Sequence, residues 1–268
     1  MPMIKVNDIN MHYEIQGDGF PFVMIIGLGS PCDWWEPALI EEISKKYKVL
    51  IFDNRGVGQT DKPSMKYSMK MFVDDTVGLM NALNIERAYV LGISMGGMIA
   101  QELVLNYPEY VEKLILCATN CGLSFLQKWG VRLFKPIAKL YMKSKIKTPE
   151  KRGEYLIKSM FTEEFIKENP KYIEKARQRL LKTPTPFEDY LRQFNAILNH
   201  NTRKRLKNID KPTLILHGKR DTLVSYKSSL KLAELIPYPK LVLFNNSGHA
   251  LFSQETDKVL QMIFEFLS

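Results

Sequence analysis

The 268-residue chain holds only three cysteines, Cys32, Cys117 and Cys121, with no C-x-x-C pair among them. That is too few for a disulfide framework, and with only four histidines present it argues against zinc, so the thiols are expected to be free and no metal is expected. Long hydrophobic runs are lacking too: the longest, residues 22–29, is far too short to cross a bilayer, and the first residues show no charged-then-apolar leader. The expectation is a soluble, cytoplasmic protein without an integral membrane span. There is no internal repeat and no glycine pattern suited to nucleotide phosphates, because Gly56-x-Gly58 is too short for a dinucleotide fingerprint. No organic cofactor is expected.

What the chain does have is a 45% hydrophobic content, enough at this length for a large core, commonly one domain carrying an insertion. Its formal charge of +9 is uneven: residues 122–205 hold 20 Lys and Arg against 8 Asp and Glu, while the remainder holds 18 against 21. A basic excess can serve nucleic acid, anionic lipid or anionic substrate. The segment carries no nucleic-acid motif, so a solvated surface is the default, with steering of anionic esters or contact with membranes left open.

Ile4-Lys5-Val6 and Met11 to Ile15, joined by a polar turn, alternate as an antiparallel hairpin does. Residues 22–26 are a continuous apolar run, the mark of a strand covered on both faces, and residues 48–52, 87–91, 111–117, 212–218 and 240–244 read as further strands of the same sheet. Helical patterns fall between them: residues 34–47, 67–83 with Asp74 and Asp75 on the outer side, 95–106, 225–236 and 256–267. This alternation predicts an α/β fold with a mostly parallel, eight-stranded sheet and helices on both faces. From Gly122 to Asn208 the rhythm breaks into helical patterns without apolar strands, an all-helical insertion, with Thr183-Pro184-Thr185-Pro186 as a break between its helices. The domains are therefore expected as a core of residues 1–121 and 209–268 and an inserted helical cap of residues 122–208. The cap's first helix is expected to carry Leu126, Trp129, Leu133, Ile137 and Leu140 on one stripe and basic residues on the other.

The chemistry centres on Tyr89-Val90-Leu91-Gly92-Ile93-Ser94-Met95-Gly96-Gly97, where β-formers stop at a glycine, pass one serine and become a helix. G-x-S-x-G alone is also met as a plain glycine-rich turn. Its position between strand and helix points to a nucleophile lifted above the sheet edge by a strained turn. A serine needs a base, and of the four histidines His249 alone lies on a loop after a strand, whereas His217 sits inside one and reads as a hydrogen-bonded core residue. Asp221 follows the preceding strand and is the candidate acid for His249, while Asn120, after the strand that ends at Cys117, is no carboxylate and cannot do that electrostatic job. Backbone N–H groups of Met95 and Leu28 are the candidate oxyanion donors. Trp34, Trp35, Phe125 and Trp129 would line an apolar pocket or pack as core.

Four motifs carry a resemblance to the α/β-hydrolase superfamily across essentially the whole chain: G-I-S-M-G-G at residues 92–97, D-N-R-G-V-G at 53–58, H-G-K-R-D at 217–221 and S-G-H at 247–249. The esterase group with 3-oxoadipate enol-lactone hydrolases and cofactor-free haloperoxidase-esterases is similar in D-x-R-G-x-G and G-x-S-M-G-G. One departure is Ile26-Gly27, where that family has H-G before the oxyanion residue. The resemblance implies structural roles for Asp53 and Arg55. The function expected is a serine carboxylesterase acting on small to medium esters through an acyl-enzyme on Ser94. Lactone, thioester or carbon–carbon bond hydrolysis by the same triad, and a ligand receptor on a hydrolase scaffold, are the alternatives. The partner expected is a small-molecule ester and not nucleic acid; a homodimer stays open.

Overall fold

The computed structural model describes residues 2–122 and 148–268. In chain order the core elements are β1 (Met3–Val6), β2 (Ile9–Gln16), β3 (Pro21–Ile25), α1 (Pro37–Ser44), β4 (Lys48–Phe52), α2 (Met69–Ala82), β5 (Ala88–Ile93), α3 (Met95–Asn106) and β6 (Val111–Cys117). The helices α4 (Pro149–Met160), α5 (Glu163–Glu168), α6 (Pro170–Lys182) and α7 (Phe187–Asn199) follow. The sheet then resumes with β7 (Thr213–Gly218), α8 (Lys227–Leu235), β8 (Pro239–Phe244), α9 (Leu251–Gln254) and α10 (Thr256–Leu267).

The eight strands form one sheet in the order β1-β2-β4-β3-β5-β6-β7-β8. The hairpin β1-β2 and the β2-β4 pair are antiparallel, and every other pairing is parallel. Alternation within the apolar strands explains why both faces need cover. Val23, Ile25, Leu50, Phe52 and Val90 pack with α2 and α3, whereas Phe22, Met24, Val49, Ile51 and Leu91 pack with α1 and α10. Burying a side chain of this size stabilises by about 1.5–3 kcal/mol, so two such layers leave the strands no other register. Cys117 belongs to the second layer, and all three cysteines are buried free thiols.

The helices between β6 and β7 have a small apolar centre of their own, in which Ile157, Phe161, Ile173, Ala176 and Leu180 meet Ala250 of the core. Residues 183–186 do separate two helices there, α6 and α7. The expected first cap helix, with Phe125 and Trp129, lies outside the described residues. None of the described helices is long and apolar enough to cross a membrane.

Three local expectations need correcting. Helix α1 covers only Pro37–Ser44 of the expected 34–47, because the chain is not yet helical at Trp35 and Glu36. Helix α2 starts at Met69 and not at Tyr67, because the Ser68 hydroxyl caps it by accepting from the Met71 N–H, while Tyr67 turns inward and is buried. Asp75 does not face outward with Asp74: successive helix residues are about 100° apart, and that rotation puts Asp75 in the core. There it receives Arg55 Nε at 2.5 Å and Arg55 Nη2 at 2.7 Å.

Candidate active site

Ser94 sits between β5 and α3 with φ 55 and ψ −119, a left-handed backbone that a serine adopts only under constraint. The constraint is steric and hydrogen-bonded. A Cβ at Gly92 would lie 2.3 Å from the Gly96 carbonyl oxygen, and one at Gly96 would lie 2.0 Å from that of Ile25, so the chain closes this tightly only with glycine at both places. The Ser94 N–H donates to the Cys117 carbonyl (2.9 Å), and the Thr119 hydroxyl donates to the Ser94 carbonyl (2.7 Å). The turn is thus pinned to the neighbouring strand β6, and the Ser94 side chain faces a cavity at the carboxyl ends of the parallel strands.

Asp221 and His249 emerge from the ends of β7 and β8. His249 Nδ1 donates to Asp221 Oδ2 at 2.6 Å, and the Asp221 carboxylate is buried. The other carboxylate oxygen accepts the N–H groups of Leu223 (2.8 Å) and Val224 (2.9 Å). Burial pushes the Asp221 carboxyl up, but its electrostatic interaction with His249, the hydrogen bonds from His217 and His249 and the Val224 N–H outweigh it and hold the group well below the usual carboxylate range. Asp221 is therefore an anion, as an orienting acid must be.

His217 is the core histidine its strand position predicts. Its Nε2 lies 2.8 Å from the Val224 carbonyl and 3.1 Å from Asp221 Oδ2, both acceptors, so that nitrogen carries the proton. The Ser229 hydroxyl donates to Nδ1 at 2.6 Å. With both nitrogens occupied, His217 steadies Asp221 and is unsuited to act as a base. With Nδ1 of His249 bonded to Asp221, Nε2 is the ring nitrogen left without a described partner, on a residue that lines the cavity. Ser94 and His249 share that cavity wall, and among the described residues no hydrogen bond joins them. Such contacts are commonly long before substrate binds.

The loop after β3 passes directly beside the serine, for a Cβ at Gly27 would stand 3.3 Å from Ser94 Cβ. Its N–H groups are already divided. Gly29 donates to Gln193 Oε1 (2.8 Å) and Ser30 to the Gly27 carbonyl (3.3 Å), which leaves Leu28, on the cavity wall, with its N–H free of any described partner. Met95 is the first residue of α3, where an N–H has no carbonyl one turn back to bond. The 53–58 loop supports this arrangement from below. Asp53 accepts from the Cys32 N–H (2.6 Å) and the Gln59 N–H (2.7 Å), and Asn54 Nδ2 donates to the Ile26 carbonyl (3.3 Å).

Gln193 was not legible as a site residue. Fully buried on α7, it holds the loop after β3 through Gly29 and the 53–58 loop through its Nε2, which donates to the Arg55 carbonyl at 2.9 Å. The available signal was a single amide within the stripe Tyr190, Phe194 and Ile197, where helical spacing calls for an apolar residue. The cavity measures about 510 Å³ and is walled by Leu28, Trp34, Met98, Phe194, Ile197 and Leu198 among others. Trp34 lines it, Trp35 borders it while remaining largely in the core, and Trp129 lies outside the described residues.

His12, Glu14 and Cys32 are the one grouping among the described residues close enough to share a metal ion. Their arrangement suits a packed core better. Cys32 Sγ faces His12 Nδ1 (3.6 Å), Glu14 faces Nε2 (3.7 Å), and burial, reinforced by Asp53, pushes the Cys32 thiol far up. One imidazole nitrogen cannot serve both neighbours.

A strained serine on a strand-to-helix turn thus shares a cavity with a histidine whose Nδ1 is held by a buried aspartate, at the edge of a mostly parallel sheet. Residues 21–256 match the family described as alpha/beta hydrolase fold, and the chain belongs to that family. RutD of Serratia proteamaculans strain 568, a protein assigned as a carbamate hydrolase, is 28% identical over 263 residues, covering 96% of each chain. The enol-lactonase from Burkholderia xenovorans LB400 superposes with a TM-score of 0.87 at 25% identity over 99% of both chains. The meta-cleavage product hydrolase CumD from Pseudomonas fluorescens IP01 gives a TM-score of 0.82 at 26% identity, covering 100% of this chain and 97% of its own.

Proposed function

We propose that this hydrolase cleaves carboxylic esters of small to medium size through an acyl-enzyme on Ser94. The observation that carries the reading is the 2.6 Å bond from His249 Nδ1 to Asp221, which commits the opposite imidazole nitrogen to the cavity that Ser94 faces. In this reading the Ser94 hydroxyl attacks the ester carbonyl as His249 Nε2 takes its proton. The oxyanion is met by the N–H groups of Leu28 and Met95. The alcohol leaves with the proton from His249, and water, activated by the same nitrogen, releases the acid and restores the serine. Residues 122–208 act as a cap over a core of 1–121 and 209–268. Support for this division comes from the cavity wall, to which α4 and α7 contribute Leu156, Met160, Phe194 and Leu198 opposite Leu28, Trp34 and His249.

The described lining favours a neutral, largely apolar ester. Neither lysine nor arginine is among the described lining residues, so the basic excess of the insertion is not matched there by a cation for an anionic substrate. Likeness to an enol-lactonase favours, as a second reading, a cyclic ester opened by the same three side chains. The test is sustained hydrolysis of p-nitrophenyl esters with two to eight acyl carbons, with kcat expected at about 1–1000 s⁻¹. A single burst of p-nitrophenol per chain without a steady state would show a receptor that is acylated and stops. Faster opening of a five- or six-membered lactone than of the matching open ester would favour the second reading.

Gln193→Leu probes the oxyanion loop. It leaves the Gly29 N–H and the Arg55 carbonyl buried without their partner, at about 1–3 kcal/mol each in stability. With Leu28 no longer held, part of the roughly 3 kcal/mol that an oxyanion donor contributes is lost. The expected result is a kcat lower by about 10–100-fold with little change in KM for a short ester. A kcat within two-fold of the parent, in a variant that is measurably less stable, would remove Gln193 from any part in catalysis.

A further inference from the structure

Glu36 is the one carboxylate among the described residues lining the cavity, and its side chain is only 11% exposed. It stands at the N-terminal boundary of α1, where an acidic residue often caps a helix, yet its side chain makes no capping bond there. Its Oε2 is fixed instead: the Tyr172 hydroxyl donates to it, and Arg179 Nη2 lies 3.9 Å from the same atom. Burial first, and then Glu36, pushes the Tyr172 hydroxyl up to about 12, so it stays a donor at any pH near neutrality. Tyr172 is in turn seated edge-on against Phe161 and Phe165, and Arg179 Nη1 is drawn to the Trp35 carbonyl at 3.4 Å. One carboxylate oxygen is therefore held from behind by two side chains of α6, while no described residue donates to Oε1.

Beside a mainly apolar lining, a carboxylate oxygen to which no described residue donates is an acceptor that a substrate donor can take from water. The fixed orientation of the group removes most of the entropy that such a donor would otherwise have to offset. We infer that Glu36 is the recognition point of the cavity, and that the substrate carries a hydrogen-bond donor, an ammonium or a hydroxyl, on the part remote from the scissile ester. This rests on the esterase reading above and replaces its neutral apolar ester by a donor-bearing one, neutral or cationic. A terminal carboxylate is the group the site should reject.

The experiment compares methyl hexanoate, methyl 6-hydroxyhexanoate, methyl 6-aminohexanoate and monomethyl adipate by pH-stat, with the eight-carbon set beside them so that reach is not limiting. The donor-bearing esters are expected to exceed the plain ester about ten-fold in kcat/KM, mainly through KM, and the adipate ester to fall below it. In Glu36→Gln, which keeps size while removing charge, the advantage of the ammonium ester over the plain one should drop by about ten-fold. A wild-type ratio within two-fold of unity for both donor esters, or a ratio unchanged in Glu36→Gln, overturns the assignment. The wild-type comparison needs no variant to fold. Calorimetric titration of Ser94→Ala with the same esters reads binding alone. Tighter binding of the donor esters there would uphold Glu36 even if the parent turned none of them over, and equal binding would reject it whatever the activity.

Discussion

Ser94→Ala is expected to abolish ester turnover, lowering kcat by about 10⁴–10⁶-fold, the range seen when a nucleophile that acts as one unit with its base is removed. The fold should not register the change. Both local anchors of this turn are backbone groups, the Ser94 N–H to Cys117 and the Ser94 carbonyl from Thr119, and alanine keeps them. Alanine also bears a Cβ, so the strained φ of 55 is neither relieved nor worsened. Melting should agree with the parent within about 2 °C, and p-nitrophenyl ester assays should fall to the background rate. Activity within a few-fold of the parent would sink the acyl-enzyme mechanism, since no other described hydroxyl shares the Ser94 turn.

Asp75→Leu is expected to be the most damaging single change to stability. Arg55 and Asp75 are both essentially buried and meet through two parallel bonds, and Arg55 Nη2 also reaches Asp8 at 2.9 Å. Removing the carboxylate leaves a guanidinium in the core with only the half-exposed Asp8 to answer it, which costs about 3–5 kcal/mol. For a chain of this size that lowers Tm by roughly 10 °C. Some loss of activity should follow, because the Arg55 carbonyl is one of the two groups Gln193 holds. The double variant Arg55→Met with Asp75→Leu removes both charges and should recover more than half of the loss. Denaturant unfolding of the two single variants and the double one gives the coupling directly. A loss below about 1 kcal/mol for Asp75→Leu would mean that water already reaches the pair.

Much of this molecule was legible because its strongest signals are local. One continuous apolar run, five further largely apolar stretches and one alternating hairpin specify buried strands and a half-covered edge, and the observed sheet uses all of them. The turn at Ser94 was legible for the same reason: glycine two residues before and two after is a steric requirement of the turn itself. His249 and Asp221 followed by elimination, since sheet order places the ends of β7 and β8 side by side. Asp75 was misplaced because an aspartate on a helix surface and one paired to a buried arginine have the same sequence signature. The partner that distinguishes them, Arg55, lies on a different loop.

Taken alone, the sequence determined which stretches become strands and most of the helices, where the strained serine stands, and that Asp221 and His249 leave neighbouring strand ends, where they pair. These follow from side-chain period, glycine sterics and chain order, which act over a few residues or through the simple alternation of strand and helix. Only the tertiary structure decided that Gln193 would clamp the loop beside Ser94, that His217 would steady Asp221 from within the core, and that Tyr172 would tie down the Glu36 carboxylate. Each of these is a hydrogen bond whose worth depends on burial and on a partner brought close by the fold, Gln193 reaching Gly29 across 164 positions. No local pattern encodes such a pairing, because the energy that selects it exists only once the two surfaces are brought together and dried.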